Sequence, residues 1–318
     1  MLILKLQLML CSYILSVNIF FSNVILISIV RNIMNATIKW QPMMSTGFGA
    51  KMSANDFMQT DTNNIKKLLM RQGFLVINKL KFDVIAFRDM YTQFGSIVER
   101  VEQHTEAEPE CRDVMQLDGK KDRLLTGRNQ LPFHADGGVL LSPVDQIFLY
   151  ANEIKNMKFH GATIICDQVL ALKEAPPHLI KILKHETFQV RALDRGCNID
   201  ISVDGWFDME QEGWCNYPVF TDLGWIEQML IYFPFNDGQQ ANWESRIVGF
   251  SKEETKKFFA ELAEFIKQPR YSYKHYWENG DLLIMDNRRV LHEREEFEDD
   301  KIIRHLYRGQ TTDSSLSE

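Results

Sequence analysis

The sequence predicts a mixed α/β fold that is mainly β, a β-sandwich or jelly-roll core with flanking helices. Three observations predict it. From Gln146 onward the apolar residues fall in short runs rich in Ile, Leu, Val and aromatics, the length and composition of strands. Turn residues separate the runs at Gly161, Gly196 and Asn279-Gly280. Helical patterns flank these runs and do not alternate with them in the way a parallel βαβ sheet needs.

The elements follow in order. Asn63 to Arg71 reads as a short helix, with Ile65, Leu68 and Leu69 on one face and Gly73 as its stop. Phe74-Leu-Val-Ile77 is a compact apolar run of strand type. Phe87 to Phe94 reads as a second helix, ended by Gly95. Gln146–Ala151, Ala162–Cys166, Thr187–Ala192, Asp281–Met285 and Ile302–Arg308 read as strands. One clear helix interrupts them. Ser251-Lys-Glu-Glu254 is a capping box, in which the Ser oxygen accepts from the third backbone N–H and Glu254 reaches back. Phe258, Phe259, Leu262, Phe265 and Ile266 then recur at helical spacing until Pro269 closes the segment.

Composition sets the class. Of 318 residues, 45% are hydrophobic and 25% charged, with 21 Phe, 9 Tyr and 6 Trp. That is ample core material, so disorder is excluded as the main state. A net charge of -7 argues against a nucleic-acid partner. Five Cys stand at 11, 111, 166, 197 and 215, an odd number with no CxxC. Reduced thiols in a cytoplasmic setting fit this better than a disulfide framework or a zinc knuckle. The first 33 residues differ from the rest. Leu6 to Val30 carries no charge and is bracketed by Lys5 and Arg31. It reads as upstream sequence before a later start, as an anchor, or as a signal peptide. The body, 45–312, reads as a single domain with no membrane partner; homo-oligomerisation is left open.

The chemistry sits in two short segments. In Phe133-His134-Ala-Asp136-Gly-Gly138, residues i and i+2 of an extended chain point to one side. His134 and Asp136 can therefore offer a nitrogen and an oxygen to one point. The run from Asp281 to His292 supplies a third candidate ligand. Two His and one carboxylate on one face form the facial triad of non-haem Fe(II) oxygenases. By itself a His-x-Asp is more often a hydrogen-bonded surface turn. Arg304 stands twelve residues after His292, and Arg308 follows at i+4 on the same strand face. A guanidinium on a strand can clamp a carboxylate with two parallel bonds; the plainer reading of Arg304 is an ion pair with Glu295 or Asp299. Thr163 could donate a hydroxyl to the same carboxylate, or be an ordinary strand residue. The other six His (104, 160, 178, 185, 275, 305) read as structural, and Cys166 reads as a small core residue.

Taken together, His134-x-Asp136, Gly-x-Thr163, Asp-Asn-Arg-Arg-Val-Leu-His292 and Arg304-x-x-x-Arg308 resemble the TauD/TfdA superfamily of Fe(II)/2-oxoglutarate oxygenases. The likeness runs from about Phe74 to Arg308. It implies a double-stranded β-helix (jelly roll). It implies Fe(II) on His134, Asp136 and His292, with 2-oxoglutarate and O2 as co-substrates. It implies that Arg304, assisted by Thr163, binds the 2-oxoglutarate carboxylate farther from iron. The carboxylate at 136 resembles the oxygen-transferring or desaturating branch, since halogenating relatives carry Ala or Gly there.

Longer strings resemble the PvcB-type oxygenases of isonitrile pathways: Val219–Trp225, Met229–Phe235, Trp277–Asn287 and Arg304–Gln310. This likeness implies a small aromatic acid as substrate, a tyrosine-derived isonitrile hydroxylated or desaturated at its benzylic carbon in secondary metabolism. Arg308 is then a partner for the substrate carboxylate, or else a structural ion pair. The alternatives are a taurine/sulfonate- or amino-acid-hydroxylating relative, and a non-catalytic iron/2-oxoglutarate-binding sensor.

Overall fold

A computed structural model describes residues 38–98, 107–119, 127–137, 144–192, 213–224, 226–239, 241 and 243–313. The 1–33 leader, Cys11, Cys197, Gly196 and His104 lie outside the described residues.

Strand β1 (Ala50–Ser53) leads into helix α1 (Ala54–Gln59), whose cap is the Ser53 hydroxyl accepting from the Asp56 N–H. Helix α2 (Thr62–Gln72) is capped by Asp61, buries Ile65, Leu68 and Leu69, and ends at Gly73. The φ of +80° at Gly73 is the left-handed turn that glycine adopts without a Cβ penalty. Strand β2 (Phe74–Asn78) follows at once. Helix α3 (Val84–Tyr91) begins at an Asp83 cap and passes into a 3₁₀ turn, Thr92–Phe94. It starts three residues earlier than its apolar pattern suggests, because the cap and not the first aromatic sets the start.

Strands β3 (Cys111–Leu117), β4 (Leu131–His134), β5 (Gln146–Lys155) and β6 (Thr163–Asp167) come next. Helices α4 (Gln168–Glu174) and α5 (Pro177–His185) follow, and the sequence reading did not place them. Asp167 ends β6 and also caps α4 through the Leu170 N–H, so no turn residue marks the change. Strands β7 (Phe188–Ala192) and β8 (Trp243–Ile247) precede helix α6 (Lys252–Ile266). The capping box of α6 is present in full: the Ser251 hydroxyl accepts from the Glu254 N–H and the Glu254 carboxylate accepts from the Ser251 N–H. Strands β9 (Ser272–His275), β10 (Leu282–Asp286), β11 (Val290–Arg294) and β12 (Ile303–Thr312) complete the chain.

Among the described residues, two sheets hold the framework. The larger runs β1-β2-β10-β5-β12-β3, with short strands Gln41–Pro42 and Ala107–Glu108 at its edges and Ser96–Ile97 pairing β12. The smaller runs β9-β6-β11-β4. Only β1 and β2 pair in parallel among the described strands; the other pairs are antiparallel. One core cluster joins the two sheets: Val76, Met115, Leu149, Leu283 and Leu306 from the larger meet Ile165 and Val290 from the smaller. The other face of the smaller sheet turns Ile164, Cys166 and Leu291 toward α4, α5 and α6. That alternation of Ile164, Ile165 and Cys166 is the period-2 rule of a strand buried on both faces. The fold is thus mixed α/β and mainly β.

Candidate metal and co-substrate site

The site grows from register. In the antiparallel pair β4·β11, His134 stands opposite His292. Opposed residues project to one face, so the two imidazoles meet with ring centroids 4.3 Å apart. Asp136 follows two residues after His134, just past the strand end. Its Oδ1 lies 3.4 Å from His134 Nε2 and 3.9 Å from His292 Nε2. One potential ligand atom from each residue falls within 4.8 Å of the others.

The protonation chemistry of this trio fits a divalent cation. His134 Nδ1 lies 2.7 Å from the Pro132 carbonyl oxygen. A carbonyl only accepts, so Nδ1 carries a proton and Nε2 is the nitrogen that faces Asp136. Burial, helped by neighbouring His134, pushes the His292 imidazole down to about 3 despite the upward pull of Asp136. His292 is therefore neutral and able to ligate. Burial alone would raise the Asp136 carboxyl, but Arg308 and the two imidazoles outweigh it and hold the group well below the usual carboxylate range. Two imidazoles and one carboxylate are the donor set of the facial triad.

Asp136 is itself gripped from two sides. Its Oδ2 accepts from Arg308 Nη2 at 2.5 Å and from Gln310 Nε2 at 2.7 Å. Its backbone is clamped by Asn287, whose Oδ1 accepts from the Asp136 N–H at 3.0 Å and whose Nδ2 donates to the carbonyls of Asp136 and Val144, each at 2.8 Å. The two arginines that follow anchor the turn. Arg288 forks onto Asp286 at 2.8 and 3.0 Å, and Arg289 reaches Asp167 at 2.9 Å.

The second half of the site lies along β12. Arg304, Leu306, Arg308 and Gln310 share the face that looks into the inter-sheet core. Arg304 is 2% exposed, and its Nε and Nη1 have no hydrogen-bond partner among the described residues. Neither Glu295 nor Asp299 takes it: Glu295 pairs with Lys274, and Asp299 accepts from the Lys301 N–H. Burial, reinforced by Arg294, pulls the Arg304 guanidinium well below its ordinary value. An arginine stays protonated in proteins, and this one has no carboxylate in ion-pair range among the described residues. Trp277 stands beneath it, with the guanidinium carbon 5.8 Å from the ring centre. The Trp277 indole N–H donates to the Thr163 hydroxyl at 3.1 Å.

The structure thus brings His134, Asp136 and His292 together. It sets Thr163 and Arg304 about one tryptophan ring. It puts Arg308 on Asp136, the structural ion pair that was one of the two readings of that residue. A carboxylate whose side chain is 9% exposed takes the nearest guanidinium. His305 turns to the opposite face, with Nε2 2.8 Å from Glu108 Oε1. Asn287, Gln310 and Trp277 were not singled out by sequence. A signal existed for the last two: Gln310 is i+2 from Arg308 and Trp277 is i+2 from His275. On the other side of His134, Trp243 lies 5.8 Å away between ring centroids. Half-buried Phe235 and Tyr232 meet Trp243 edge-on at 4.7 and 5.5 Å.

The chain matches the family model described as taurine catabolism dioxygenase TauD, TfdA family over residues 41–310. It belongs to that family, and with it to the iron- and 2-oxoglutarate-dependent oxygenases. Among solved structures it is similar to the PvcB protein of Pseudomonas aeruginosa, with a TM-score of 0.64 and 17% identity, covering 88% of this chain and 94% of that one. A PvcB structure is described as that of an Fe, alpha-ketoglutarate dependent oxygenase from an isonitrile synthetic pathway. A taurine dioxygenase of Burkholderia xenovorans gives a TM-score of 0.61 and 18% identity, covering 86% of this chain and 90% of that one. Among curated proteins, the alpha-ketoglutarate-dependent 2,4-dichlorophenoxyacetate dioxygenase of Burkholderia sp. (strain RASC) is 46% identical over 48 residues, 15% of this chain and 16% of that protein. No helix among the described residues is long and apolar enough to cross a membrane.

Proposed function

We propose that the chain oxidises a C–H bond of a small aromatic acid, a tyrosine-derived isonitrile, by hydroxylation or desaturation at the benzylic carbon. One observation carries the reading of the site: a His134–Asp136–His292 trio is held by Arg308, four residues along the same strand from a buried arginine, Arg304, whose Nε and Nη1 lack partners among the described residues. The larger and smaller sheets are then the halves of a double-stranded β-helix, within one domain over 45–312.

His134, Asp136 and His292 would hold Fe(II). The metal supplies O2 activation coupled to decarboxylation of 2-oxoglutarate to succinate and CO2. The residues of the chain supply geometry. Arg304 and Thr163 bind the co-substrate carboxylate farther from the metal, and Arg304 gains there the counter-anion it lacks. Arg308 and Gln310 keep Asp136 ionised and hold its second oxygen. The apolar core around the site excludes water.

The substrate assignment has two supports. The strings 219–225, 229–235 and 277–287 resemble isonitrile-pathway oxygenases, and an aromatic group of Trp243, Tyr232 and Phe235 begins at the ring of His134. Such a group suits a flat apolar ring with one polar handle. A sulfonate would need a cation and no aromatic wall. The test is competition in one vessel, with tyrosine isonitrile, tyrosine and taurine at limiting enzyme, read by mass spectrometry. Preferential loss of the isonitrile with matched succinate release is expected. Loss of taurine with the isonitrile untouched would refute the substrate and leave the family standing.

A further inference from the structure

We propose that Trp277 is a positioning residue for 2-oxoglutarate: its indole N–H fixes the Thr163 hydroxyl with the hydroxyl proton left free for the distal carboxylate. The proposal rests on the co-substrate reading above and adds a residue which that reading does not need.

An indole nitrogen only donates, and a hydroxyl has one proton and two lone pairs. Trp277 Nε1 lies 3.1 Å from Thr163 Oγ1, so one lone pair of Thr163 is filled. The Thr163 proton must point elsewhere, and it finds no acceptor among the described residues. Both side chains are buried, Trp277 at 4% and Thr163 at 2% exposure. A buried O–H without an acceptor is costly, and the indole that fixes it also carries over its ring, 5.8 Å from the centroid, the guanidinium of Arg304, whose Nε and Nη1 are unpartnered among the described residues. Three unsatisfied donors grouped about one indole suit a bound carboxylate. The ring of Trp277 serves the same end, because Arg304 lies over it within cation–π range. That contact steadies the guanidinium before the anion arrives.

Trp277 is in turn held from behind. His275 meets it edge-on, 4.5 Å between centroids at 82°. His275 Nε2 is 3.3 Å from Asp281 Oδ2, and Asp281 is fixed by the Asn78 side chain at 2.6 Å and the Glu278 N–H at 3.0 Å. His275 also stands opposite Thr163 in the β9·β6 register. The indole is thus packed against His275 on one side and bonded to the Thr163 hydroxyl through its N–H.

The test uses the full chain loaded anaerobically with Fe(II), titrated with 2-oxoglutarate and followed by the visible charge-transfer band. Trp277→Phe keeps a ring under Arg304 and removes the N–H. Its dissociation constant should rise about 5- to 10-fold, with the loss in turnover confined to KM for 2-oxoglutarate. Thr163→Val should cost a similar factor. The double variant should cost no more than the larger single, because both changes remove one interaction. Multiplied effects in the double variant, or wild-type affinity in Trp277→Phe, would overturn the proposal. If the Phe variant does not fold, Trp277→Leu also has no donor, and its non-additivity with Thr163→Val carries the readout. A wild-type protein that gives no band with 2-oxoglutarate would refute the co-substrate reading itself. A normal wild-type band with an unaffected Trp277→Phe would refute this inference alone.

Discussion

Arg304→Met should make the ligand-free protein as stable as wild type or more stable, and should abolish its response to 2-oxoglutarate. Arg304 is a fully buried cation whose Nε and Nη1 lack partners among the described residues, and Arg294 adds like charge. Burying an ion costs several kcal/mol after relaxation, and replacing buried charges by apolar residues of similar volume is often neutral or stabilising by ~1–4 kcal/mol. Met fills similar space with no charge. In a protein of this size each kcal/mol moves the melting temperature by about 2–4 °C. Ligand binding to the wild type at a hundred times its Kd adds about 2.7 kcal/mol, or roughly 5–10 °C. The assay is thermal unfolding of wild type and Arg304→Met, loaded with Mn(II), with and without 2-oxoglutarate. Wild type should gain several degrees with the ligand; the variant should gain none and should start no lower. A variant that melts far below wild type without ligand would show that Arg304 has an internal partner. A variant that keeps the ligand shift would show that the carboxylate binds elsewhere. Either result refutes the argument.

Two further expectations concern the grip on Asp136. Asn287→Ala removes two hydrogen bonds to the Asp136 backbone and one to the Val144 carbonyl, leaving backbone groups unpaired at about 1–3 kcal/mol for a buried one; Fe(II) affinity should fall about 10–100-fold, as for other residues that orient a metal ligand, and equilibrium metal titration checks it. Arg308→Gln removes the cation that keeps Asp136 ionised, so Fe(II) affinity should fall and fall further as pH is lowered; an unchanged metal constant with only a raised substrate KM would favour the substrate-binding alternative for Arg308.

The legible parts of this protein were those whose chemistry is local. The capping box at Ser251 and Glu254 announced α6, and apolar runs announced β2, β5, β6 and β10. The spacing of His134 and Asp136 showed through because i and i+2 share a side, although Asp136 lies just past its strand. Less was legible where one residue serves two elements. Asp167 closes β6 and caps α4, so the helix has no boundary residue of its own, and Pro177 at the first turn of α5 was the remaining start signal. Strand β12 runs through Gly309 and Gln310, which lack strand-like side chains. Gly309 is there because a Cβ would come within 2.6 Å of the Tyr91 ring, and Gln310 because Asp136 needs a donor. Asn287 and Trp277 act across 151 and 114 positions of sequence. Local pattern cannot reveal such partners; the register of two sheets creates them.

The account turns on the claim that His134, Asp136 and His292 form one metal site that serves 2-oxoglutarate. The most direct measurement is anaerobic Fe(II) titration of wild type and His134→Ala in the presence of 2-oxoglutarate, read by the charge-transfer band. The account expects a band that saturates at one Fe(II) per chain in wild type and is lost in His134→Ala. A band of unchanged intensity and midpoint in His134→Ala would contradict it.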